Sequence, residues 1–124
     1  MENKRKNKDF NPNNCPVTHF YNKAGGKWKT VILYGISKHV NRFSTLQKAI
    51  PTISKQMLVN QLRELENDGI IEKITYAEIP PRVEYKLTEY GESFLPIIMV
   101  IQDWGLKDMK LQSIEKLQEN QSGN

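Results

Sequence analysis

Cysteine, histidine and long apolar runs are scarce in this 124-residue chain, which has one cysteine and two histidines. A lone cysteine excludes an internal disulfide, and three such side chains fall short of the four ligands of a structural zinc site. The longest apolar run, residues 94–101, is far shorter than the roughly 20 residues of a membrane-spanning helix. No apolar stretch near the start resembles a signal peptide. We therefore expect a cytoplasmic protein without a metal, a cofactor or a membrane segment.

Acidic side chains are scarce in the first half of the chain. Residues 1–63 carry 12 Lys or Arg and 2 acidic side chains, a formal charge of +10. Residues 64–124 carry 6 basic and 12 acidic side chains, a formal charge of −6, so the net charge of +4 is the sum of two oppositely charged halves. The basic half suggests a polyanionic partner, either nucleic acid or an anionic membrane surface, although unevenly charged solvated helices would give the same totals.

Composition and periodicity divide the chain into segments. Residues 1–14, with five Asn and four Lys or Arg, are predicted to form a disordered basic arm, because they have no apolar periodicity. Residues 15–105 are predicted to form one folded domain, residues 106–118 a further helix, and residues 119–124 a polar tail. At the start of the domain, Pro16 is predicted to open a first helix, and a second helix is expected over residues 27–38.

Two capped helices are predicted in the middle of the domain. Ser44 is expected to be the N-cap of a short helix that Pro51 ends. Ser54 is expected to cap a longer helix over residues 55–68, which Gly69 ends. The longer helix has three leucines on one face: Leu58, Leu62 and Leu65. Two helices joined by a turn of three or four residues have the geometry of a helix-turn-helix.

The periodicity changes from helical to alternating after residue 69. Residues 70–76 and 83–87 are rich in β-branched and aromatic side chains and are predicted to form two strands. Pro80 and Pro81 lie between them, where they need not donate to a ladder. A helix-turn-helix followed by a hairpin is a winged helix, so the predicted fold class is α+β and mostly helical, with a two-stranded wing.

A long apolar stripe predicts that the C-terminal part of the chain forms an interface. Thr88 is expected to cap a helix that runs to about Trp104, and Gly105 to separate it from the last helix. The stripe comprises Tyr90, Phe94, Ile97, Ile101 and Trp104. An apolar surface of this width must be covered on more than one side, whereas a single small domain offers only one, so we expect a subunit interface here.

The outer face of the helix over residues 55–68 has the chemistry of a base reader. At about 100° per residue, Gln56, Asn60 and Arg63 cluster opposite the leucines, and Val59 lies at the edge of this cluster. Gln and Asn pair with adenine, Arg pairs with guanine, and Val contacts a thymine methyl group. No acidic side chain occurs over residues 54–63, whereas an ordinary solvated face would mix charges.

Other residues are candidates for contact with the DNA backbone. Ser54 and the first N–H groups of its helix, together with Lys55, are placed where a phosphate would lie. Arg42 lies near a helix start and Arg82 beside the hairpin turn, from which it would reach a phosphate or a minor groove.

Cys15 is open to two interpretations. At a helix start beside the basic arm its thiolate would be favoured, as in a sensor of electrophiles or oxidants that cross-links to a second subunit. A free cysteine is more often a small buried apolar residue. A thiol enzyme is disfavoured, because His19 is the neighbouring candidate base but no orienting acid or oxyanion hole is identifiable. We therefore predict no catalytic residue.

The order of short motifs from Cys15 to Gly105 is specific. The most specific motif is Pro80-Pro81-Arg82-Val83-Glu84-Tyr85, and Gly25-Gly26-Lys27-Trp28 precedes it. The remaining motifs are Arg42-Phe43-Ser44, Ile53-Ser54-Lys55, Leu62-Arg63-Glu64-Leu65-Glu66, Asp68-Gly69, Leu87-Thr88 and Trp104-Gly105. Over about three quarters of its length, the chain resembles the HxlR-type winged helix-turn-helix transcriptional regulators of bacteria.

The resemblance implies a homodimer that binds a near-palindromic DNA operator, with the first and last helices packed across the dimer. It places Ser54, Lys55, Gln56 and the positions after them in the major groove, and Arg82 on the wing. The candidate DNA-binding residues are Arg42, Ser44, Ser54, Lys55, Gln56, Val59, Asn60, Arg63 and Arg82. We expect a repressor rather than an activator.

The resemblance also bears on Cys15, which matches the N-terminal cysteine through which several family members sense electrophiles or oxidants. A sensor and a structural cysteine both remain open. The alternative function from another class is a winged-helix module for protein–protein interaction without sequence-specific DNA binding, with residues 94–104 and the last helix as the partner surface.

Overall fold

The computed structural model describes the backbone of residues 10–122 and the side chains of residues 10–120. Its helices are α1 (Pro16–Ala24), α2 (Lys29–Ser37), α3 (Phe43–Ala49), α4 (Lys55–Asn67), α5 (Glu89–Glu92) and α6 (Leu95–Ser122). Two strands, β1 (Ile71–Tyr76) and β2 (Arg82–Leu87), form one antiparallel hairpin. The chain divides into two compact units, a winged unit up to Glu92 and a C-terminal unit from Ser93. No helix in the described residues is long and apolar enough to cross a membrane.

The start of the fold agrees in part with the sequence prediction. Residues 1–9 of the predicted arm lie outside the described residues, but Pro12–Asn14 form a short 3-10 turn rather than irregular chain. The Asn11 side chain accepts a hydrogen bond from the Asn13 N–H at 3.1 Å, which stabilises this turn. Helix α1 then begins at Pro16, as predicted, with Cys15 as its N-cap residue.

The predicted N-cap at Ser44 is wrong. Helix α3 begins at Phe43, and Arg42 is its N-cap residue with extended backbone. The Thr45 hydroxyl accepts from the Arg42 N–H at 3.2 Å and donates to the Arg42 carbonyl at 2.9 Å, so it closes the helix end without Ser44. Ser44 lies exposed in the first turn.

Helix α4 forms as the sequence predicts. The Ser54 hydroxyl accepts from the Met57 N–H at 3.1 Å, and Gly69 has a φ of +71° just beyond the helix. The N–H groups of Gly69 and Ile70 donate to the carbonyls of Glu66 and Leu65, each at 3.0 Å, which is the Schellman arrangement. The predicted leucine face is buried: Leu58, Leu62 and Leu65.

The hairpin packs on the helices through one face. Ile71 lies opposite Leu87 and Tyr76 opposite Arg82, so β2 begins one residue earlier than predicted. The Asn41 carbonyl, just before α3, accepts from the Tyr85 N–H at 2.8 Å and anchors the outer edge of β2. The core of the winged unit is aliphatic, with one tyrosine: Ala24, Ile32, Leu33, Ile36, Leu46, Ile50, Ile53, Leu58, Leu62, Leu65, Ile70, Ile71, Tyr85 and Leu87.

Thr88 joins the base of the hairpin to the short helix α5. Its hydroxyl bonds to the Gly69 and Ile70 carbonyls, and it accepts from the Gly91 N–H at 3.0 Å. A Cβ at position 91 would lie on the Ile70 carbonyl oxygen, so this close approach requires glycine.

Two predictions for the C-terminal helices are wrong. The predicted helix from Thr88 to Trp104 is interrupted at residues 93–94, because Pro96 has no N–H with which to continue the hydrogen-bond ladder back to Glu92. The predicted break at Gly105 is absent, since α6 runs from Leu95 to Ser122 and takes in most of the predicted tail. One glycine costs only about 1 kcal/mol inside a helix, and the Asp103–Lys107 ion pair, at 3.0 Å, spans it.

Candidate nucleic-acid interface

Helix α4 presents a polar surface opposite its buried leucines. We call Gln56, Val59, Asn60 and Arg63 the reading face. Gln56 and Arg63 are exposed, whereas Val59 and Asn60 are half-buried. The Gln56 Nε2 donates to the Asn60 Oδ1 at 3.0 Å, which holds the two amides side by side. Arg63 has no ion-pair partner among the described residues, so its guanidinium is available to a ligand.

The N-terminus of α4 lies at one end of the reading face. Ser54 and Lys55 are both exposed, and the Lys55 ammonium group forms no ion pair within the described part of the chain. The Ser54 oxygen accepts the Met57 N–H, while its own hydroxyl proton remains able to donate to a phosphate oxygen. The backbone N–H groups of this first turn also point toward any anion placed there.

An open cleft of about 420 Å³ separates α4 from the hairpin. Its apolar lining comes from both elements and from the start of α3: Phe43, Val59, Leu62 and Val83. Arg63 and Lys73 bring positive charge to the cleft, and Glu66 brings one carboxylate. Burial, with a smaller effect of the Glu66 charge, raises the pKa of Tyr85, so this phenol stays protonated, and able to donate a hydrogen bond, to a higher pH than a free tyrosine.

Sequence reasoning did not select Lys73. The alternation of β1 places Ile71, Lys73 and Thr75 on one face, opposite Leu87, Tyr85 and Val83 in the register. This face of the hairpin is turned toward α4, because Lys73, Val83 and Tyr85 line the same cleft as α4. The alternation of side chains along β1, counted from the buried Ile71, was therefore the sequence signal that would have identified Lys73.

Arg42 and Arg82 share a carboxylate beside the hairpin. Glu84 Oε1 lies 3.7 Å from Arg42 Nη2 and 3.5 Å from Arg82 Nη1. Arg82 Nη2 also lies 3.4 Å from Glu78 Oε1, and its guanidinium carbon lies 4.0 Å from the centre of the Tyr76 ring. Arg42 is about half exposed, whereas Arg82 is more buried and contacts three side chains.

Cys15 lies away from the reading face, at the start of α1. It is half-buried in an open cleft with polar neighbours that include Asn14, Thr18 and His19. The sulfur closes no capping hydrogen bond, but the N–H groups of Thr18 and then Val17 point toward it and lower the pKa of the thiol. The thiolate is therefore favoured relative to a free cysteine.

Within residues 10–122, no cluster of three His, Cys, Asp or Glu side chains is placed to hold a metal ion. The described geometry thus combines a helix-turn-helix, a two-stranded wing and a reading face without acids, which together define a winged helix-turn-helix DNA-binding protein.

Comparison with known proteins gives the family. The family model described as HxlR-like helix-turn-helix matches residues 24–113. The HTH-type transcriptional regulator YdeP of Bacillus subtilis (strain 168) is 41% identical over 110 residues, which cover 86% of each chain.

Solved structures agree with this assignment. The redox regulator HypR in its oxidized form is 40% identical with a TM-score of 0.69, over 75% of this chain and 96% of that chain. HypR in its reduced form is 37% identical with a TM-score of 0.69, over 80% of this chain and 98% of that chain. This chain therefore belongs to the HxlR-like helix-turn-helix family, and it is a DNA-binding transcriptional regulator.

Proposed function

We propose that this chain acts as a homodimeric repressor that binds a near-palindromic operator, with α4 of each subunit in a major groove. The observation that carries the proposal is the reading face: its Gln56 and Arg63 are exposed, and the chain has no acidic side chain over residues 54–63. Two-fold symmetry then places two half-sites about one helical turn, roughly 35 Å, apart.

The reading face supplies the base contacts in this proposal. Gln56 and Asn60, already bonded to each other at 3.0 Å, present one amide surface to adenine. Arg63, which forms no ion pair within the described residues, offers its guanidinium for a bidentate contact to guanine, and Val59 lies on the same face for a thymine methyl group.

Residues around the reading face supply the phosphate contacts. Ser54 and Lys55 offer a hydroxyl, an ammonium group and helix N–H groups at the start of α4. Arg42 and Ser44 lie exposed at the start of α3, on the first helix of the helix-turn-helix, which crosses the backbone in this class of protein.

Helix α6 supplies the dimer surface in this proposal. Its exposed apolar side chains extend over more than five turns: Ile97, Met99, Val100, Ile101, Trp104, Leu106, Met109, Leu111, Ile114 and Leu117. A soluble monomer rarely leaves such a continuous apolar surface in water, and a second copy of the same helix would cover it.

Cys15 supplies the signal in this proposal. Its thiolate either adds to an electrophilic carbon of a quinone, forming an S–C bond, or forms a disulfide with Cys15 of a second copy. With diamide as the oxidant, two thiols lose two electrons and two protons, and the N=N bond of diamide becomes N–N with both nitrogens protonated. The lowered pKa of Cys15 and the likeness to a redox regulator support this role.

DNA recognition is tested with a duplex enriched by the wild-type chain from a random-sequence library, and with a scrambled duplex of the same composition. We expect preference for the enriched duplex and a steep loss of affinity with salt. Arg63→Ala and Gln56→Ala should each make the free energy of binding to the enriched duplex less favourable by about 1–3 kcal/mol. Each should also reduce the preference for the enriched duplex over the scrambled one. Equal binding of both duplexes by the wild type would contradict sequence-specific recognition.

Sensing is tested by adding diamide or a quinone to the enriched-duplex complex. The wild type should release the duplex, and Cys15→Ser should retain it. The alkylation rate should also rise with pH at a lower midpoint in the folded chain than in the urea-unfolded chain, because the pKa of Cys15 is lowered by folding. Release that is equal in wild type and Cys15→Ser would assign Cys15 a structural role.

A further inference from the structure

Ile79 is the most exposed of the large apolar side chains in the described residues. It lies in the turn between β1 and β2 and is followed by Pro80 and Pro81, which restrict the backbone of the turn. Because its side chain is fully exposed, it contributes no core packing to this chain. Because Ile79 lies at the end of the wing, its side chain is accessible to a ligand that binds there.

The basic residue nearest the turn already has partners. The Arg82 guanidinium covers the Tyr76 ring at 4.0 Å, and carboxylates of Glu78 and Glu84 hold two of its nitrogens at 3.4 and 3.5 Å. Its Nε is buried and has no hydrogen-bond partner among the described residues. To bind a phosphate, the Arg82 guanidinium would have to give up its contacts with the Tyr76 ring and with both carboxylates. The negative charges of these carboxylates already offset its positive charge.

The wing lies beside the reading face. Residues of β1 and β2 line the same cleft as Val59 and Arg63 of α4, and the strands continue from there to the turn. A duplex whose major groove holds α4 therefore brings its neighbouring minor groove past the turn. Proteins that bind a minor groove frequently insert apolar side chains there, isoleucine among them, between successive base steps.

We propose that the wing meets the minor groove through the aliphatic side chain of Ile79, and that Arg82 is a positioning residue that braces the hairpin behind it. The proposal rests on the DNA recognition proposed above. Tyr76 and Glu78 lie on one side of the turn, whereas Arg82 and Glu84 lie on the other. The Arg82 side chain therefore ties the two strand ends together and fixes the direction of the turn.

The test uses the enriched duplex and the full chain. Ile79→Ala should weaken binding about fivefold, because the buried aliphatic carbons are lost, while the salt dependence and the melting temperature stay as in the wild type. Val31→Ala is the matched control, since Val31 is an exposed aliphatic residue on α2, and it should bind as the wild type does.

The role of Arg82 is tested in two ways, by a substitution that keeps its positive charge and by a double variant with Ile79→Ala. Arg82→Lys should weaken binding as much as Arg82→Gln, because neither side chain covers the ring and spans both carboxylates. If Arg82 acts through Ile79, adding Arg82→Gln to Ile79→Ala should cost little beyond Ile79→Ala alone.

Wild-type affinity in Ile79→Ala would overturn the contact proposed for the wing. Full rescue by Arg82→Lys, with a shallower salt dependence in Arg82→Gln, would instead make Arg82 a direct phosphate contact and overturn its bracing role. Failure of the wild type to enrich any duplex would overturn both this proposal and the DNA recognition on which it rests.

Discussion

Helices α4 and α6 differ in where their apolar side chains go. Helix α4 buries its leucines completely within the winged unit and leaves a polar face in solvent. Helix α6 leaves apolar side chains exposed along its length, with Trp104 at 69% exposure. Helix α4 is therefore stabilised by its own chain and is free to meet a ligand, whereas α6 exposes an apolar surface that a second copy covers in the proposed homodimer.

The largest effect is expected from Leu58, which has no exposed surface. Leu58→Ala should lower the free energy of unfolding by about 3 kcal/mol, because it removes buried carbons and leaves a cavity. Met57→Ala, on the exposed side of the same helix, should cost less than about 1 kcal/mol. Urea denaturation of both variants measures the contrast, and similar losses would mean that α4 is not packed as described.

A smaller effect, on association rather than folding, is expected from Trp104. Trp104→Ala should weaken dimerisation about 30-fold or more, equivalent to about 2 kcal/mol, if the indole is a central contact between two α6 helices. Sedimentation equilibrium measures it. Ile79→Ala is the control, because it removes an exposed aliphatic group outside α6 and should leave the dimer intact.

Ser54 is expected to have a moderate effect on both stability and binding. Ser54→Ala removes the hydroxyl that accepts the Met57 N–H, so it should destabilise the chain by about 1 kcal/mol. Ser54→Asp keeps the cap and should restore stability, but it places a negative charge where a phosphate is expected and should weaken DNA binding. Thermal melting and duplex titration separate the two results, and tight binding by Ser54→Asp would argue against a phosphate at this end of α4.

The smallest effect is expected at Gly105. No atom lies within 4 Å of a Cβ built there, apart from those of its own helix. Gly105→Ala should therefore stabilise α6 by up to about 1 kcal/mol, since alanine has the higher helix propensity. Thermal melting at a fixed chain concentration measures it, and a marked loss of dimer would show that the glycine allows close approach of a second helix.

Local signals explain why α4 and the hairpin were predictable from the sequence. Ser54 and Gly69 mark the ends of α4, and the leucine spacing gives its buried face. The alternation around Tyr85 gives the second strand. Each of these signals acts over a few residues, so neither the rest of the fold nor a partner is needed to interpret it.

The C-terminal helices are less predictable because glycine and proline interrupt a helix to different degrees. Gly105 costs only about 1 kcal/mol, so α6 continues through it, whereas Pro96 removes a backbone hydrogen bond and lies just after the interruption. At Ser44, the neighbouring Thr45 supplied the hydroxyl instead, and the two residues offer the same chemistry one position apart.

The side-chain contacts of Arg82 could not be predicted from the amino-acid sequence alone. Its position beside the turn was predictable, but its contacts with Tyr76 and Glu84 depend on the cross-strand register and on side-chain direction. The same holds for Lys73, whose importance comes from a cleft formed with α4.

In the proposed complex, two copies of α4, related by two-fold symmetry, read two half-sites one helical turn apart. This arrangement is tested by inserting about five base pairs, half a helical turn, between the half-sites of the enriched duplex and comparing its affinity with that of the parent and of a full-turn insertion. The half-turn insertion should abolish the preference over scrambled DNA, because one reading face then points away from its half-site. Undiminished affinity for the half-turn duplex would contradict recognition by two symmetry-related copies of α4.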